Sequence, residues 1–437
     1  MSTIRIGRRV LMATAALTAA AALAPIAAHA APENSRQNTV NALERVSHPL
    51  RSTEPGRHNA DLRALGEMVA DAKIVGLGEA THGSHEFFAM KERVFRYLVE
   101  EKGFTGFALE QGWPEGLAIN EYLLTGKGDI RALTKTAMAN SPWEREEFLH
   151  LFEWMRSYNR EHPGRPVHFV GDDVGVRLPD GFFAKVTDHV KRKQPQLLAQ
   201  VNELYTGLRP LDDDAAYLNK PVAERRHLAD KAEKALKTLS EVKNMDSLVL
   251  QYARSIAQTA RYYAVDTTDP AAIPAMQLGR DRAMADNVAW WQRLTGGKVL
   301  VSAHNGHVAK VTPSTAMYPK VQGDFLREMY GKHYVSIGMS FNEGSFLSRN
   351  NGGPWQKFKV GAPEKNSNEA TLDKVRYDDF YFDARTAPAS ARAWLDGTRP
   401  TRSIGVVWPM DPFQVSLGRS YDIVVHLHDV TEAKFLR

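Results

Sequence analysis

Four short apolar runs in this chain each end in a knot of polar residues, and helical periods lie between most of them. The first, Lys73-Ile74-Val75-Gly76-Leu77-Gly78, leads into Glu79-Ala80-Thr81-His82-Gly83. The second, Phe104-Thr105-Gly106-Phe107-Ala108-Leu109, leads into Glu110-Gln111-Gly112. The third, Val167-His168-Phe169-Val170-Gly171, meets Asp172-Asp173, and the fourth, Lys298–Ala303, meets His304-Asn305-Gly306-His307. Short apolar runs alternating with helices read as buried strands joined by crossovers. The expected fold class is therefore α/β, with a largely parallel central sheet flanked by helices. In such a sheet, functional groups collect beyond the carboxyl ends of the strands.

The period predicts helices over 84–99, 115–124 and 143–160. From 182 to 294 no strand pattern stands out, and helical periods run over 184–205, 224–242, 247–263 and 277–294. This reads as a helical lobe inserted over the cleft. Later strands are expected at 333–339, 402–408 and 421–427, and residues 31–60 as a loose polar lead-in.

Residues 1–30 read as a secretory signal. Arg8-Arg9 closes a basic region, an apolar run of about fifteen residues reaches Pro25, and Ala28-His29-Ala30 fits an A-x-A cleavage site. The run falls short of the ~20 residues a spanning helix needs. The expected product is one domain over 31–437, periplasmic or secreted, with no membrane anchor after cleavage. Arg8-Arg9-Val10-Leu11 also fits a twin-arginine signal.

Composition narrows the chemistry. The chain has no cysteine, which excludes disulfides, thiolate metal sites and a cysteine nucleophile. The net charge of +5 includes Arg5, Arg8 and Arg9; without them 53 basic residues face 51 acidic ones. A nucleic-acid binder needs clustered Lys and Arg, so no nucleic-acid partner is expected. There is no G-x-S-x-G elbow, no Walker A motif and no H-E-x-x-H, and Gly76–Thr81 fails the dinucleotide fingerprint at its third glycine.

The strand ends supply the candidates. Glu79 and His82 sit on a glycine-flanked turn, where a carboxylate can fix the tautomer of an imidazole and raise its basicity. Lys91 falls on the apolar face of its helix, with Phe87, Phe88, Val94, Phe95 and Leu98. It either snorkels to water or turns a cation inward, to pair with Glu79 or Glu110 or to hold an oxyanion. On the same projection Glu92 and Arg93 point away from the core. Glu110, His304 and His307 complete the rim, while His85 and His168 read as structural.

The motif Gly76–Phe88, the run Phe107–Glu110 with Trp113, Arg280–Asn287 and Ser302–His307 together resemble the erythromycin esterase family. The resemblance spans roughly 45–430. It implies hydrolysis of a macrolactone ester by an activated water, without a metal or other cofactor, as in macrolide resistance. It carries functional positions onto Glu79, His82, Glu110 and His304, and a substrate-binding place onto His307. Lys91 stands where the macrolide-resistance enzymes carry an arginine; it keeps the charge but not the bidentate fork.

The expected mechanism has His82 as general base, Glu79 orienting it, His304 and Lys91 stabilising the oxyanion, and Glu110 positioning water or tuning the histidines. The partner is a small-molecule ester. Two other readings remain. One is a metal-dependent hydrolase using Glu79, His82, Glu110, His304 and His307 as ligands; the other is a periplasmic binding protein that keeps the cleft without turnover.

Overall fold

The computed structural model describes residues 33–56 and 58–437. The expected export signal lies outside them. Eleven strands are present among the described residues: β1 His48–Pro49, β2 Ile74–Leu77, β3 Phe104–Gly112, β4 His168–Asp173, β5 Lys298–Ser302, β6 Tyr334–Arg349, β7 Trp355–Val360, β8 Phe380–Asp383, β9 Arg399–Thr401, β10 Phe413–Val415 and β11 Ile423–Val430. Nine of them form one sheet in the order β1-β8-β11-β6-β2-β5-β3-β4, with β7 paired to β6. The six strands from β11 to β4 run parallel; β7 and β8 run antiparallel to them, and β1 pairs antiparallel with β8.

Side chains alternate across the sheet and feed two cores. Val75, Leu77, Phe107, Leu109 and Leu300 pack on one face with Phe87, Phe95 and Leu98 of the helix His85–Lys102. Ile74, Ala108, Val299 and Val301 pack on the other with Val288 and Trp291 of the helix Ile273–Thr295. The register then aligns the strand ends. Leu77 lies opposite Ser302 and Ile337, and Leu109 opposite Ser302 and Gly171. Glu79, Glu110, Asp172 and His304 follow those positions by one or two residues, so the sheet delivers them to one rim.

The stretch expected to be a helical lobe is helical. Helices Asp180–Lys193, Leu198–Tyr205, Val222–Ser240 and Ser247–Tyr263 lead into Ile273–Thr295, with no strand between β4 and β5 among the described residues.

Three expectations change. Residues 402–408 do not make a strand of the sheet. The short β9 ends just before them, at Thr401, and pairs β10 apart from the main sheet. Ile404 and Val407 make isolated bridges to Thr81 and Arg349. Trp408 is followed by Pro409, which has no N–H to donate to a ladder. The segment is a strap across the Glu79–His82 turn, with Ile404 N donating to Ala80 O and His82 N to Ile404 O. The lead-in is not loose either: Glu33–Val46 is a helix that buries Val40, Ala42 and Leu43, a stripe hidden by the polar residues around it. Finally, Glu92 and Arg93 are buried as well as Lys91. The helix is covered on both sides, so Arg93 pairs with Asp61, and Glu92 with Arg96 and His150.

His85 pins three segments. Its Nδ1 is 2.8 Å from Glu147 and its Nε2 2.9 Å from Glu54. The Glu147 hydrogen bond outweighs partial burial and, with Glu54, raises the imidazolium to about 9. Because the folded value lies above the unfolded one of about 6.5, this stabilisation is full below pH 6.5 and is lost as pH rises through about 9. Urea unfolding of wild type and His85→Gln should therefore differ most below pH 6.5 and converge above pH 9. A constant difference across that range would count against the staple.

Candidate active site

Two close approaches shape the Glu79–His82 turn. A Cβ on Gly78 would stand 2.1 Å from Asn305 Oδ1, and one on Gly83 2.0 Å from Leu347 O. Glycine is required at both, because backbone and side chains from β6 and the β5 end press onto the turn. Asn305 binds the three strand ends together: its N donates to Glu79 O at 2.9 Å, its Nδ2 to Met339 O, and its Oδ1 accepts from Met339 N.

Glu79 is fully buried and divides its oxygens. Oε1 accepts from His82 Nδ1 at 2.9 Å, and Oε2 pairs with the Lys91 ammonium. Lys91 also donates to Ser302 Oγ at 3.0 Å and Ala303 O at 3.2 Å. Three protons thus meet three acceptors inside the protein. Lys91 neither snorkels nor keeps an N–H for an oxyanion, the task the expected mechanism gave it. Pairing with Glu79 was the other outcome expected of it.

Hydrogen bonds fix two tautomers. His82 Nδ1 faces a carboxylate and must carry the proton, so the neutral ring has its lone pair on Nε2. That nitrogen has no partner among the described residues. Burial pushes His82 down to about 4, with Glu110 opposing and His307 and Arg280 adding to the fall. Glu79, in contact with Nδ1, pulls the other way. His304 is the converse case. Its Nδ1 accepts from Gly306 N at 3.3 Å, so the neutral ring carries its proton on Nε2. That Nε2 is buried without a partner. Burial, reinforced by His82, holds His304 well below the usual imidazole range. The two rings lie 4.8 Å apart between centroids.

Glu110 is the hub. Its Oε2 accepts from His304 N at 3.0 Å, and its Oε1 from Arg280 Nη2 at 2.9 Å and His307 Nε2 at 3.3 Å. Despite the cost of burial, His307, His82 and Arg280 hold its carboxyl well below the usual range. His307 also places Nδ1 2.7 Å from Asp281 Oδ1. Burial opposes its charge, but Asp281 and Glu110 raise it to about 10. Two histidines, His82 and His304, are pushed toward the neutral form and a third, His307, toward the charged form within a single cluster. Such a split of protonation states marks acid–base chemistry.

All six candidate residues therefore come together. Sequence reasoning missed Arg280, Asp281 and Trp143, and gave Asp173 no role. Arg280 grips Asp173 through Nε at 2.9 and 3.1 Å. Trp143 stands edge-on to His82 at 5.0 Å and donates Nε1 to Glu110 O at 2.7 Å. The available signal was the pair Asp172-Asp173 at a strand end, which calls for a cation or a proton once buried. Asp173 takes the guanidinium. Burial raises the Asp172 carboxyl well above the usual range, and its Oδ2 accepts from Gln322 Nε2 at 2.8 Å.

Glu79, His82 and Glu110 offer ligand atoms within 4.8 Å of one another, the one such group among the described residues. Both carboxylates, however, already have their oxygens matched by donors from Lys91, His82, Arg280, His307 and the His304 amide. A cation there would have to displace them.

Comparison with known proteins places the chain. The family pattern described as erythromycin esterase matches residues 99–430. The chain is 24% identical over 427 residues to YbfO of Bacillus subtilis, which carries a hydrolase designation, covering 90% of this chain and 92% of that one. It is 26% identical over 327 residues to the erythromycin esterase type II of Escherichia coli, covering 68% of this chain and 75% of the other. A crystal structure described as a succinoglycan biosynthesis protein superposes with a TM-score of 0.82 at 32% identity, over 92% of this chain and 100% of that one.

Proposed function

Because the chain belongs to the erythromycin esterase family and is a hydrolase of that family, we propose that it is an exported enzyme that hydrolyses an ester bond with a water activated by His82. The observation that carries this reading is the pair of opposed tautomers: a free lone pair on His82 Nε2 beside a free N–H on His304 Nε2.

Water attacks the carbonyl carbon and gives a proton to His82 Nε2, while the carbonyl π pair moves onto its oxygen. His304 Nε2–H donates to that oxygen as charge develops. On collapse, the bond to the alcohol oxygen breaks, and this oxygen takes the proton back from His82. An acid and an alcohol leave. Glu79 holds the ring and balances the transient imidazolium, and Lys91 holds Glu79. Glu110 fixes the His304 amide, and His307 fixes Glu110. Export is supported by residues 1–30.

A panel of esters of increasing acyl and alcohol size, macrolactones included, tests the reading with and without EDTA. Hydrolysis is expected, and EDTA should leave it unchanged. Loss on chelation restored by zinc would favour the metal-dependent alternative, and binding without turnover the third reading. The pH profile adds a second check. The base must be neutral, so kcat/KM should be lost as pH falls through the His82 value, which burial depresses to about 4. An alkaline limb is expected as His307 sheds its proton near about 10. A profile with its acid limb above pH 7 would argue against His82 as the base.

A further inference from the structure

A carbonyl oxygen gaining charge in a nearly dry site is best met by a fixed, charged donor. Lys91 has no proton left to offer. Arg280 does. Its Nε and Nη2 are held by Asp173, and Nη2 also lies 2.9 Å from Glu110 Oε1. Carboxylates from the ends of two adjacent strands thereby fix the guanidinium plane. Nη1 lies 3.2 Å from His307 Nε2. That nitrogen is itself a donor, because His307 faces Asp281 on Nδ1 and Glu110 on Nε2. Nη1 carries two protons and makes this single contact, so at least one of its protons lacks an acceptor among the described residues. The Arg280 side chain is 13% exposed, against 1% for Lys91.

We infer that Arg280 is a catalytic residue whose Nη1 donates to the carbonyl oxygen of the substrate and carries its charge in the tetrahedral state. This rests on the reading of the site as an ester hydrolase. Asp173 and Glu110 neutralise the guanidinium, so it is suited to a charge that develops during reaction and gains little from a neutral ester at rest. The effect then falls on kcat and spares KM.

The test compares Arg280→Gln, Arg280→Lys and Arg280→Ala with wild type and with His82→Gln, on one confirmed ester. Alongside kcat and KM, it measures inhibition by an alkyl phosphonate monoester, a stable tetrahedral anion. Arg280→Gln should lower kcat by about 10²–10³, keep KM within about threefold, and weaken the phosphonate by a similar factor. Arg280→Lys should fall between, and guanidinium ion should restore part of the rate of Arg280→Ala. Folded Arg280→Gln with wild-type kcat would overturn the inference. So would a lower kcat with unchanged phosphonate affinity, which would make Arg280 a positioning residue for Glu110. If Arg280→Gln does not fold, wild-type kcat and phosphonate affinity in Arg280→Lys would overturn it equally. Failure of the underlying reading looks different: the wild type then hydrolyses no ester, or His82→Gln keeps full activity.

Discussion

Replacing His82 with alanine is expected to lower kcat on a confirmed ester by about 10²–10⁴, the range for loss of a positioned general base. The fold should survive, because the ring is held by one carboxylate and a tryptophan edge, and its backbone N–H to Ile404 O does not depend on the side chain. Matched thermal unfolding of the two proteins separates the effects. A variant with wild-type kcat would end the assignment, and a variant that loses activity only by unfolding would leave His82 as a structural residue.

Lys91→Met should act on stability as well as rate. Lys91 and Glu79 form an ion pair shut away from solvent. Removing one partner leaves the other charge buried and uncompensated, which typically costs about 3–5 kcal/mol. Urea unfolding should register that loss, and kcat should fall too, because the carboxylate that orients His82 would then protonate or shift. Lys91→Arg is not expected to rescue either property. The slot is filled, and a wider guanidinium overpacks it. Wild-type stability in Lys91→Met would show that Glu79 finds another partner, and the supporting role of Lys91 would fall.

Much of the rim was legible because it depends on a local rule. An apolar run that ends in polar residues is a strand end, and parallel strand ends meet. Glu79, Glu110, His304 and His307 follow from that rule alone. The inward turn of Lys91 was one of the two outcomes that its place on the apolar face allowed. What the sequence could not display is how partners are shared. Arg280 sits on a long helix with no periodic sign that its guanidinium bridges two strand ends. Glu92 and Arg93 look solvent-facing on a helical projection, yet a projection ignores what covers the helix from its far side. The 402–408 segment has the composition of a strand. Its role as a strap depends on Ile404 donating to Ala80 O and accepting from His82 N across more than three hundred residues of chain.

The hub at Glu110 bears on how this protein comes to be active. Its carboxylate meets Arg280 and the His304 amide, partners 170 and 194 residues further along the chain. Contacts of such separation close late, since long loops must be ordered before they are rewarded. The reactive centre is spread over residues 79–307, so no short amino-terminal or carboxyl-terminal piece of the chain holds it. Turnover by the proposed site is therefore expected only from a chain in which β2, β5, β3 and β4 have docked side by side.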